Sequence, residues 1–547
     1  MRMKSETGEN SKSIVTFLEA WEERVTAMTE FLNRANQPRG LSLRKTKMEL
    51  VESFSKRKEL AEKLDGKDWK MFNYIYPKLK RINPTMAEKL KAAMKHPNIT
   101  KKFYDPATVV ERYEDFVSKD TKPMTGRPNF EKAWKDIRDL LGYSKLEALK
   151  LDKNLKIEQV FTNKAASAGS IYPGKKKDEV WDLIFEVAVW YKTEKPKDNP
   201  FATLPFARAQ ISGFLDEEGN LTPEATKHKQ RLVWCINASV VLVEALYARP
   251  IMNEVLPRVS QYAGGKTPRD IRRKLRRWGL SWSWVCLDYS KYDSTVPKWI
   301  IKSVFEMIKD LFDEEEHETL DWICYEFIHT KILMPDGSIK QKCKGIPSGS
   351  YFTQIVGSLV NMLMIRTWQY SLYGDRIDSF TRVEGLISFM VMGDDNIVFM
   401  AEEINRKKLS SYLFKNFGVI VHGEKCDYGT NFDDPVFLKR KWMEDGEWRD
   451  PLELFINMCH PERFRLYDTY QPIHILYGYY LAYSEAFKPF FKLGWLRREL
   501  IANGGAAALS KVPDGALPGS LYWIKITNPM LFDSLVQEIE KEEAMLA

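Results

Sequence analysis

The chain has 547 residues, which is longer than the usual size of one compact domain. Hydrophobic residues make up 44% of it and charged residues 29%, a balance typical of globular proteins. Lys and Arg exceed Asp and Glu by 83 − 75 = 8, an excess too small to indicate a polyanionic partner by itself, although local basic clusters can.

Cysteine usage and hydropathy argue against several classes of protein. The six cysteines form no CxxC pair and match no zinc spacing, so we expect the reduced, mostly buried thiols of a cytosolic protein. The first residues, MRMKSETGENSKS, contain no apolar core of a signal peptide. Because no run of about 18 apolar residues occurs, we expect no membrane span.

The first half of the chain is predicted to be mainly helical. Residues 1–105 are rich in lysine and in helical patterns, and residues 106–281 mix helices with turn-rich stretches. Lys227, Lys229 and Arg231 alternate along the chain, so an extended segment would place them on one face. That face suits a triphosphate, and a solvated edge strand protected by lysines is the alternative.

From residue 283 the pattern changes to strands and apolar helices. WVCLDYSKYD predicts a buried strand leading into a turn, and residues 295–312 predict a helix with Thr295 as its N-cap. A Gly-Ser loop then runs into an apolar helix that extends to residue 368, and residues 386–401 predict strand, tight turn and strand. Residues 446–547 are predicted to be mainly helical.

Three carboxylates are the candidates for chemistry. Asp394 and Asp395 lie at the tip of the predicted hairpin, where Gly393 permits a tight turn, and Asp288 ends the earlier buried strand. If the strands are neighbours in one sheet, the carboxylates repel one another unless divalent cations neutralise them. Oxygen ligands with a phosphate favour Mg²⁺, and a pair of ions suits phosphoryl transfer. A water-exposed turn that carries two acids is the alternative.

The loop GIPSGS, residues 345–350, precedes the apolar helix. Its small residues let a nucleotide approach the backbone closely, and the Ser348 hydroxyl can hydrogen-bond to a sugar. A plain helix N-cap with a flexible entry is the alternative.

Taken in order, these segments resemble the motifs of viral RNA-dependent RNA polymerases, in wording most similar to those of bisegmented double-stranded RNA viruses of the partitivirus and picobirnavirus group. The segments similar to motifs A to E are LDYSKYDSTVP (287–297), GIPSGSYFTQIVGSLVN (345–361), MGDDN (392–396), FGVIVHGEKC (417–426) and FLKRKW (437–442). KHKQRLVW (227–234) is similar to motif F and follows PFARAQ (205–210), and HPERFR (460–465) is similar to a partitivirus segment.

The resemblance implies a role for each matching residue. Asp288, Asp394 and Asp395 would hold two Mg²⁺ ions, with Mn²⁺ able to substitute, and Lys425 would protonate the pyrophosphate. The residues implied to bind the nucleotide or its ribose are Asp293, Ser348, Gly349, Thr353, Asn361, Lys227, Lys229 and Arg231. The residues implied to bind RNA are Arg208, Arg269, Arg272, Arg273, Arg276, Lys439 and Arg440.

Two of these assignments depart from the family's pattern or have competitors. Many of the polymerases carry the motif B asparagine four residues after the threonine, where this chain has Gly357, and Asn361 lies eight residues after Thr353. Other lysines, at positions 407, 408 and 415, lie near Lys425.

The segment PRDIRRKLRRW, residues 268–278, has arginines at the i, i+3, i+4, i+7 and i+8 positions, which are Arg269, Arg272, Arg273, Arg276 and Arg277. If the segment is helical, the arginines form a basic stripe opposite Ile271, Leu275 and Trp278. In a polymerase this stripe favours contact with RNA or nucleotide, and a solvated helix face is the alternative.

The implied fold is α+β, a closed right hand with fingers, a palm of antiparallel sheet plus helices, and a thumb, mainly helical outside the palm. The expected regions are 1–105 as an extension bridging fingers and thumb, 106–281 as fingers, 282–313 as palm, 314–344 as a fingers insertion, 345–445 as palm, and 446–547 as thumb with a late loop.

The implied partners are single- and double-stranded RNA, NTPs and a viral capsid protein, with a monomeric enzyme inside a virion in the host cytoplasm and no membrane. Two other functions stay open. One is a reverse transcriptase, although the acid at 293 and GDD instead of YxDD favour RNA synthesis; the other is a basic RNA-packaging protein with an inactive palm.

Overall fold

The computed structural model describes residues 67–96, 106–172, 174–197, 199, 201–210, 229–278, 283–334, 338–377, 387–431, 434–461, 471–510, 520–521, 524–525 and 528–546. All of these except Ser338 belong to one compact unit. Lys227, most of the predicted 1–105 extension and most of HPERFR lie outside the described residues, as do the side chains of Arg208 and Lys229.

The helices of the described part include a 22-residue central helix, α12. In chain order they are α1 Trp69–Ile82, α2 Pro84–Lys95, α3 Pro106–Glu114, α4 Pro128–Leu140, α5 Ile157–Val160, α6 Trp181–Glu194, α7 Ala238–Pro250, α8 Pro268–Trp278, α9 Tyr292–Thr295, α10 Lys298–Lys309, α11 His317–Ile328, α12 Phe352–Tyr373, α13 Arg406–Phe417, α14 Pro451–Cys459, α15 Pro472–Ala482, α16 Ser484–Phe487, α17 Leu493–Ala502, α18 Gly505–Ser510 and α19 Pro529–Leu546. Short 3₁₀ or π turns occupy Asp178–Val180, Ile251–Val255, Leu256–Arg258, Glu314–Glu316 and Gly374–Arg376.

The strands form one four-stranded sheet and several smaller ones. In chain order they are β1 Leu204–Gln210, β2 Lys229–Cys235, β3 Ser283–Cys286, β4 Tyr289–Ser290, β5 Lys331–Leu333, β6 Ile339–Gln341, β7 Ser388–Met392, β8 Asp395–Met400, β9 Ile420–Val421, β10 Asp427–Gly429, β11 Val436–Phe437, β12 Arg440–Trp442 and β13 Glu447–Trp448. The four-stranded sheet has the order β10-β3-β8-β7, and all of its neighbours are antiparallel.

This central sheet brings the predicted motif A and motif C strands side by side. Val285 of β3 pairs with Val398 of β8, as the sequence predicts for strands that carry Asp288 and Asp394 at their ends. β7 and β8 form the predicted hairpin, in which Met392 pairs with Asp395.

The two faces of the sheet are covered by helices of different character. α12 is apolar on all sides and almost wholly buried, which is expected of a central helix. It crosses one face, where the Arg366 guanidinium lies over the Phe389 ring at 5.2 Å and the Gln369 amide contacts Met400.

The other face is covered by α8. Its buried residues, which include Leu275 and Trp278, share one hydrophobic core with Trp284 and Phe399 of the sheet. The predicted amphipathic helix is therefore present. It packs on the central sheet, and the assignment of residues 106–281 to the fingers stays a prediction.

The helix predicted over residues 295–312 begins later than expected. Thr295 is not its N-cap, because this residue ends α9 and its hydroxyl donates to the Tyr292 carbonyl at 3.1 Å. Pro297 has extended backbone angles and caps α10, which begins at Lys298. Thr295 belongs to the short helix α9, and the periodicity of the sequence alone does not reveal that helix.

A second core joins the two ends of the chain. Residues of α1 and α2, such as Met71 and Leu90, pack with Phe455, Leu476 and Ile539 of the carboxy-terminal helices. The described part of the predicted extension therefore belongs to the thumb-side core. Its predicted bridge to the fingers stays a prediction.

No helix in the described ranges combines the length and apolar character needed to cross a bilayer. Four of the six cysteines, Cys286, Cys324, Cys426 and Cys459, are buried.

Candidate active site

The tip of the β7–β8 hairpin is a two-residue turn, Gly393 and Asp394, because Met392 and Asp395 already pair with each other. Gly393 has a φ of 66°, in the left-handed region where glycine is favoured. Its N–H donates to the Ser358 hydroxyl of α12 at 2.9 Å. The turn is therefore fixed to the central helix as well as to its own strands.

Asn361 holds the same turn. Its Nδ2 donates to the carbonyls of Gly393 at 2.9 Å and Asp394 at 3.2 Å, and its Oδ1 accepts from the Tyr289 hydroxyl at 2.9 Å. The residue is 0% exposed. These contacts all lie in the interior and support the turn, and the contact of Asn361 with ribose stays a prediction.

Asn396, which directly follows the two acids, links the two strands that carry them. Its buried amide accepts from the Leu287 N–H at 3.1 Å and donates to the carbonyls of Leu287 and Asp394 at 3.2 and 3.0 Å. Sequence reasoning missed Asn396 and Ser358. The available signals were the position of Asn396 beside GDD, and the spacing of Ser358 three residues before Asn361 on one helix face.

Asp395 reports the electrostatics of the hairpin tip. Desolvation by the surrounding protein raises its pKa to about 6, and the nearby charges of Asp394 and Asp288 act in the same direction. Lys439 and Arg231 oppose the rise in pKa. Three carboxylates and two cations therefore interact across one cleft.

Asp293, on α9, belongs to the same group. It is exposed to solvent, yet the protein around it weakens its hydration and, with the charge of Asp394, raises its pKa to about 6, while Arg231 opposes the rise. Nevertheless, no three acid, histidine or cysteine side chains of the described residues converge tightly enough to form a metal site. The Mg²⁺ ligands stay a prediction.

The basic strand β2 lines this cleft. Arg231 is exposed and lies directly opposite Arg208 in the β1–β2 register. Lys229 lies in the same strand, and the grip of Lys229 and Arg231 on a triphosphate stays a prediction.

The Gly-Ser loop is attached to β2. Gly349 has a φ of 99°, and a Cβ there would lie 2.3 Å from the Trp234 carbonyl oxygen, so only glycine fits. The Ser348 hydroxyl accepts from the Trp234 N–H at 3.2 Å and donates to the Leu232 carbonyl at 3.3 Å. Ser348 is thus beside the basic strand, and its predicted contact with ribose would exchange one of these bonds.

Two further predicted residues lie in the first turn of α12 and on a turn after β9. Thr353 is half-buried and its hydroxyl donates to the Pro347 carbonyl at 2.7 Å. Lys425 is exposed on a turn next to the motif A strand, because the Asp288 carbonyl accepts from the His422 N–H and the His422 carbonyl accepts from the Lys425 N–H, both at 2.9 Å. Its predicted role as a proton donor stays a prediction.

The hairpin of β11 and β12 separates two residues predicted to bind RNA. Lys439 is exposed on its turn and acts on the pKa of Asp395. The Arg440 guanidinium instead donates to the Ala482 carbonyl at 2.9 Å, pairs with Glu447 at 3.5 Å and lies over the Tyr483 ring at 4.6 Å. These contacts hold Arg440 against the hairpin, and its contact with RNA stays a prediction.

The arginines of α8 face away from its buried side. Arg273 pairs with Asp270 at 3.1 Å, and Arg276 pairs with Glu444 at 2.9 Å. Of the other three, Arg269 and Arg277 are exposed and Arg272 is half-buried. Contact of this stripe with RNA stays a prediction.

Comparison with known proteins places the chain among relatives of one kind. It is 33% identical over 229 residues to the RNA-directed RNA polymerase of Cryptosporidium parvum virus 1, a match that covers 39% of this chain and 41% of that protein. It is 30% identical over 185 residues to the RNA1 polyprotein of Broad bean wilt virus 1, covering 30% of this chain and 10% of the polyprotein. The matches thus span less than half of the first relative and a tenth of the second.

The fold agrees with this similarity. The crystal structure of the RNA-dependent RNA polymerase of a human picobirnavirus superposes with a TM-score of 0.57 at 16% identity, covering 86% of this chain and 91% of that one. The predicted α+β fold of a right-hand polymerase is confirmed. The sequence profile of the viral RNA-dependent RNA polymerase family matches residues 124–454, more than half of the chain, and the protein therefore belongs to this family.

Proposed function

We propose that the protein is an RNA-directed RNA polymerase that replicates and transcribes the genome of a double-stranded RNA virus. The observation that supports this most directly is the cleft in which Asp288, Asp293, Asp394 and Asp395 face Arg231. A row of acids opposite a basic strand suits a nucleoside triphosphate whose charge is shared between metal ions and arginine.

The proposed reaction joins an NTP to the 3′ end of RNA. The RNA 3′-oxygen forms a bond to the α-phosphorus, the bond from that phosphorus to the bridging oxygen breaks, and pyrophosphate leaves. The 3′-hydroxyl proton passes to solvent, and Lys425 donates a proton to the leaving pyrophosphate. Arg231 and Lys229 orient the triphosphate, and Asp293 with Ser348 positions the ribose, so placement and charge neutralisation carry most of the catalysis.

The donor set of the cleft fits Mg²⁺, with Mn²⁺ able to substitute. Asp288, Asp394 and Asp395 supply only oxygen donors. Desolvation, with the charges of Asp394 and Asp288, raises the pKa of Asp395, and a divalent cation would offset both effects. Two bound ions would stabilise the attacking and leaving oxygens. All three side chains are exposed, so they are free to turn toward a shared ion.

The proposed partners follow from the same reaction. They are NTPs, a single- or double-stranded RNA template and its product, and a viral capsid protein, with the enzyme acting as a monomer inside the virion in the host cytoplasm. Support for the viral setting comes from the similarity to viral polymerases.

RNA synthesis on an RNA template, with and without Mg²⁺, tests the proposal. We expect wild type to extend RNA only when a divalent cation is present, and Asp394→Asn to lower the rate by about 100-fold or more. Asp445→Asn, at an exposed acid outside the cleft, is the matched control and should leave the rate unchanged. No product from wild type, or an equal rate for Asp394→Asn, contradicts the proposal.

The same assay separates the two other functions. Preferred use of dNTPs on an RNA template would identify a reverse transcriptase. Tight binding of RNA by wild type without synthesis under any NTP and metal condition would identify a packaging protein with an inactive palm.

A further inference from the structure

Lys342 is a lysine without solvent exposure, directly after β6 and before the Gly-Ser loop. Backbone oxygens, not a carboxylate, surround its ammonium group. Nζ donates to the carbonyls of Phe327, Ile328 at 3.1 Å, Lys344 at 3.4 Å and Gly345 at 2.7 Å.

The two halves of this carbonyl cage come from different parts of the chain. Phe327 and Ile328 are the last residues of α11, whose final carbonyls have no partner within the helix and carry partial negative charge. Lys344 and Gly345 form the entry to the Gly-Ser loop. Burial disfavours the ammonium and lowers the pKa of Lys342 well below its ordinary value, so the group is tolerated only because the oxygens are fixed around it.

The Gly345 peptide, which is hydrogen-bonded to Lys342, is also part of a segment hydrogen-bonded to motif A. The Gly345 N–H donates to the Val296 carbonyl at 3.0 Å, and the Ile346 N–H donates to the Asp293 carbonyl at 2.6 Å. Gly345 has a φ of 80°, and a Cβ there would lie 2.6 Å from the Asp293 carbonyl oxygen. The loop entry therefore contacts Lys342 on one side and the turn that carries Asp293 on the other.

We propose that Lys342 is a positioning residue for sugar selection: it ties the entry of the Gly-Ser loop to the end of α11 and so fixes Asp293 relative to Ser348. This inference rests on the proposed function, in which those two residues hold the ribose. Lys342 itself is buried and touches no substrate. A lysine that only stabilises the fold would leave the choice of sugar unchanged, which separates the two roles.

The test uses Lys342→Met, which removes the charge and all N–H donors, and Lys342→Gln, which removes the charge but keeps an NH₂ group that can donate. Lys340→Met is the matched control, because Lys340 lies two residues earlier on β6, where its ammonium pairs with Glu114 at 3.6 Å and lies over the Tyr113 ring at 5.3 Å. Each protein is assayed at a temperature at which it is fully folded. The readouts are incorporation of one NTP against the matching 2′-dNTP, kcat and KM for the NTP, and hydrogen exchange at the Gly345 and Ile346 amides.

For both Lys342 variants we expect the preference for NTP over 2′-dNTP to fall by about tenfold, with a raised KM and a smaller change in kcat. Exchange at the Gly345 and Ile346 amides should accelerate while that of α12 does not. Lys340→Met should behave as wild type. An unchanged sugar preference in the folded variants overturns the inference, even if their stability falls.

Wild type supplies a readout that requires neither folded variants nor activity. If Lys342 anchors the loop entry, the Gly345 and Ile346 amides should exchange as slowly as buried amides of α12, whereas exchange at the rate of an exposed loop overturns the anchoring. Absence of RNA synthesis by wild type would contradict the proposed function. The comparison of amide exchange between the Lys342 variants and wild type would still decide whether Lys342 anchors the loop.

Discussion

Asn396 hydrogen-bonds to both backbone groups of Leu287, accepting from its N–H at 3.1 Å and donating to its carbonyl at 3.2 Å. The regular pairing of β3 with β8 runs only as far as Val285 and Val398, so the Asn396 side chain continues the connection beyond it. A further bond from the same amide to the Asp394 carbonyl, at 3.0 Å, includes the hairpin tip. One buried side chain therefore sets the separation of the two strand ends that carry the candidate metal ligands.

Asn396→Ala tests this connection. The substitution leaves the Leu287 groups and the Asp394 carbonyl without their partner, so we expect a loss of about 2–4 kcal/mol in the free energy of unfolding and a higher Mg²⁺ concentration for half-maximal synthesis. Urea unfolding and a Mg²⁺ titration of RNA synthesis measure the two effects. Asn416→Ala, which removes a bond from Asn416 to the Tyr412 carbonyl within α13, is the control. An unchanged Mg²⁺ requirement in folded Asn396→Ala would show that the strand ends are held by other contacts.

Asn361→Ala tests whether Asn361 supports the hairpin turn or binds the ribose. Because the amide bonds to the turn carbonyls and to Tyr289 in the interior, we expect the substitution to lower the free energy of unfolding by about 2–4 kcal/mol. The preference for NTP over 2′-dNTP should stay within about twofold of wild type, whereas Asp293→Ala should reduce it strongly. Single-nucleotide incorporation measures the preference. If Asn361→Ala reduced the preference for NTP over 2′-dNTP as much as Asp293→Ala does, Asn361 would be a ribose ligand.

Local pattern was sufficient for the hairpin and for the amphipathic helix. Continuous apolar runs on both sides of GDD predict strands that are buried on both faces, as β7 and β8 are, and the spacing of Leu275 and Trp278 determines the buried side of α8. Both features depend on neighbours within a few residues. They could therefore be predicted before the tertiary structure was known.

The roles of single polar residues depended on distant partners and could not be predicted in this way. Asn361 and Arg440 lie in motifs that resemble nucleotide- and RNA-binding segments, yet Tyr289 and Tyr483 from other parts of the chain turn them inward. Lys342 gives no sign of burial in the sequence, since its partners are backbone carbonyls, which every residue has.

The burial of Glu244 predicts an unusual pH dependence of the free energy of unfolding. Its buried carboxylate, in α7, accepts from the Ser350 hydroxyl at 2.8 Å and the Tyr351 N–H at 2.9 Å. Burial raises its pKa to about 7, and the charge of Glu326 acts in the same direction. Because the folded state holds this proton more tightly than the unfolded chain, the stabilisation is complete below the ordinary pKa of 4.5 and is lost as the pH rises through 7.

Glu244→Gln removes this titration. Between pH 5 and pH 8 the free energy of unfolding of the variant, relative to wild type, should move in the variant's favour by about 2–3 kcal/mol. Urea unfolding at both pH values measures it. Glu254→Gln, at an exposed acid just beyond α7, should follow wild type at both pH values. If the curves of Glu244→Gln and wild type are parallel, Glu244 does not titrate in this range.

Lys439 occupies a strained position beside the acids. Phe437 pairs with Arg440, so Leu438 and Lys439 form a two-residue turn, and both have a φ of 56°, a conformation that Asn and Gly adopt more readily. Lys439→Asn should therefore raise the free energy of unfolding by about 1 kcal/mol.

The same substitution should slow RNA synthesis, because it removes a cation that favours the ionised form of Asp395. Lys439→Arg keeps the charge and the strain, so it should retain both the activity and the stability of wild type. Urea unfolding and the elongation rate, measured on the same preparations, separate the two effects. Higher stability with lower activity in Lys439→Asn would show that the charge at position 439 supports synthesis at the expense of stability. Equal activity of Lys439→Asn and wild type would show that this charge is not needed for synthesis.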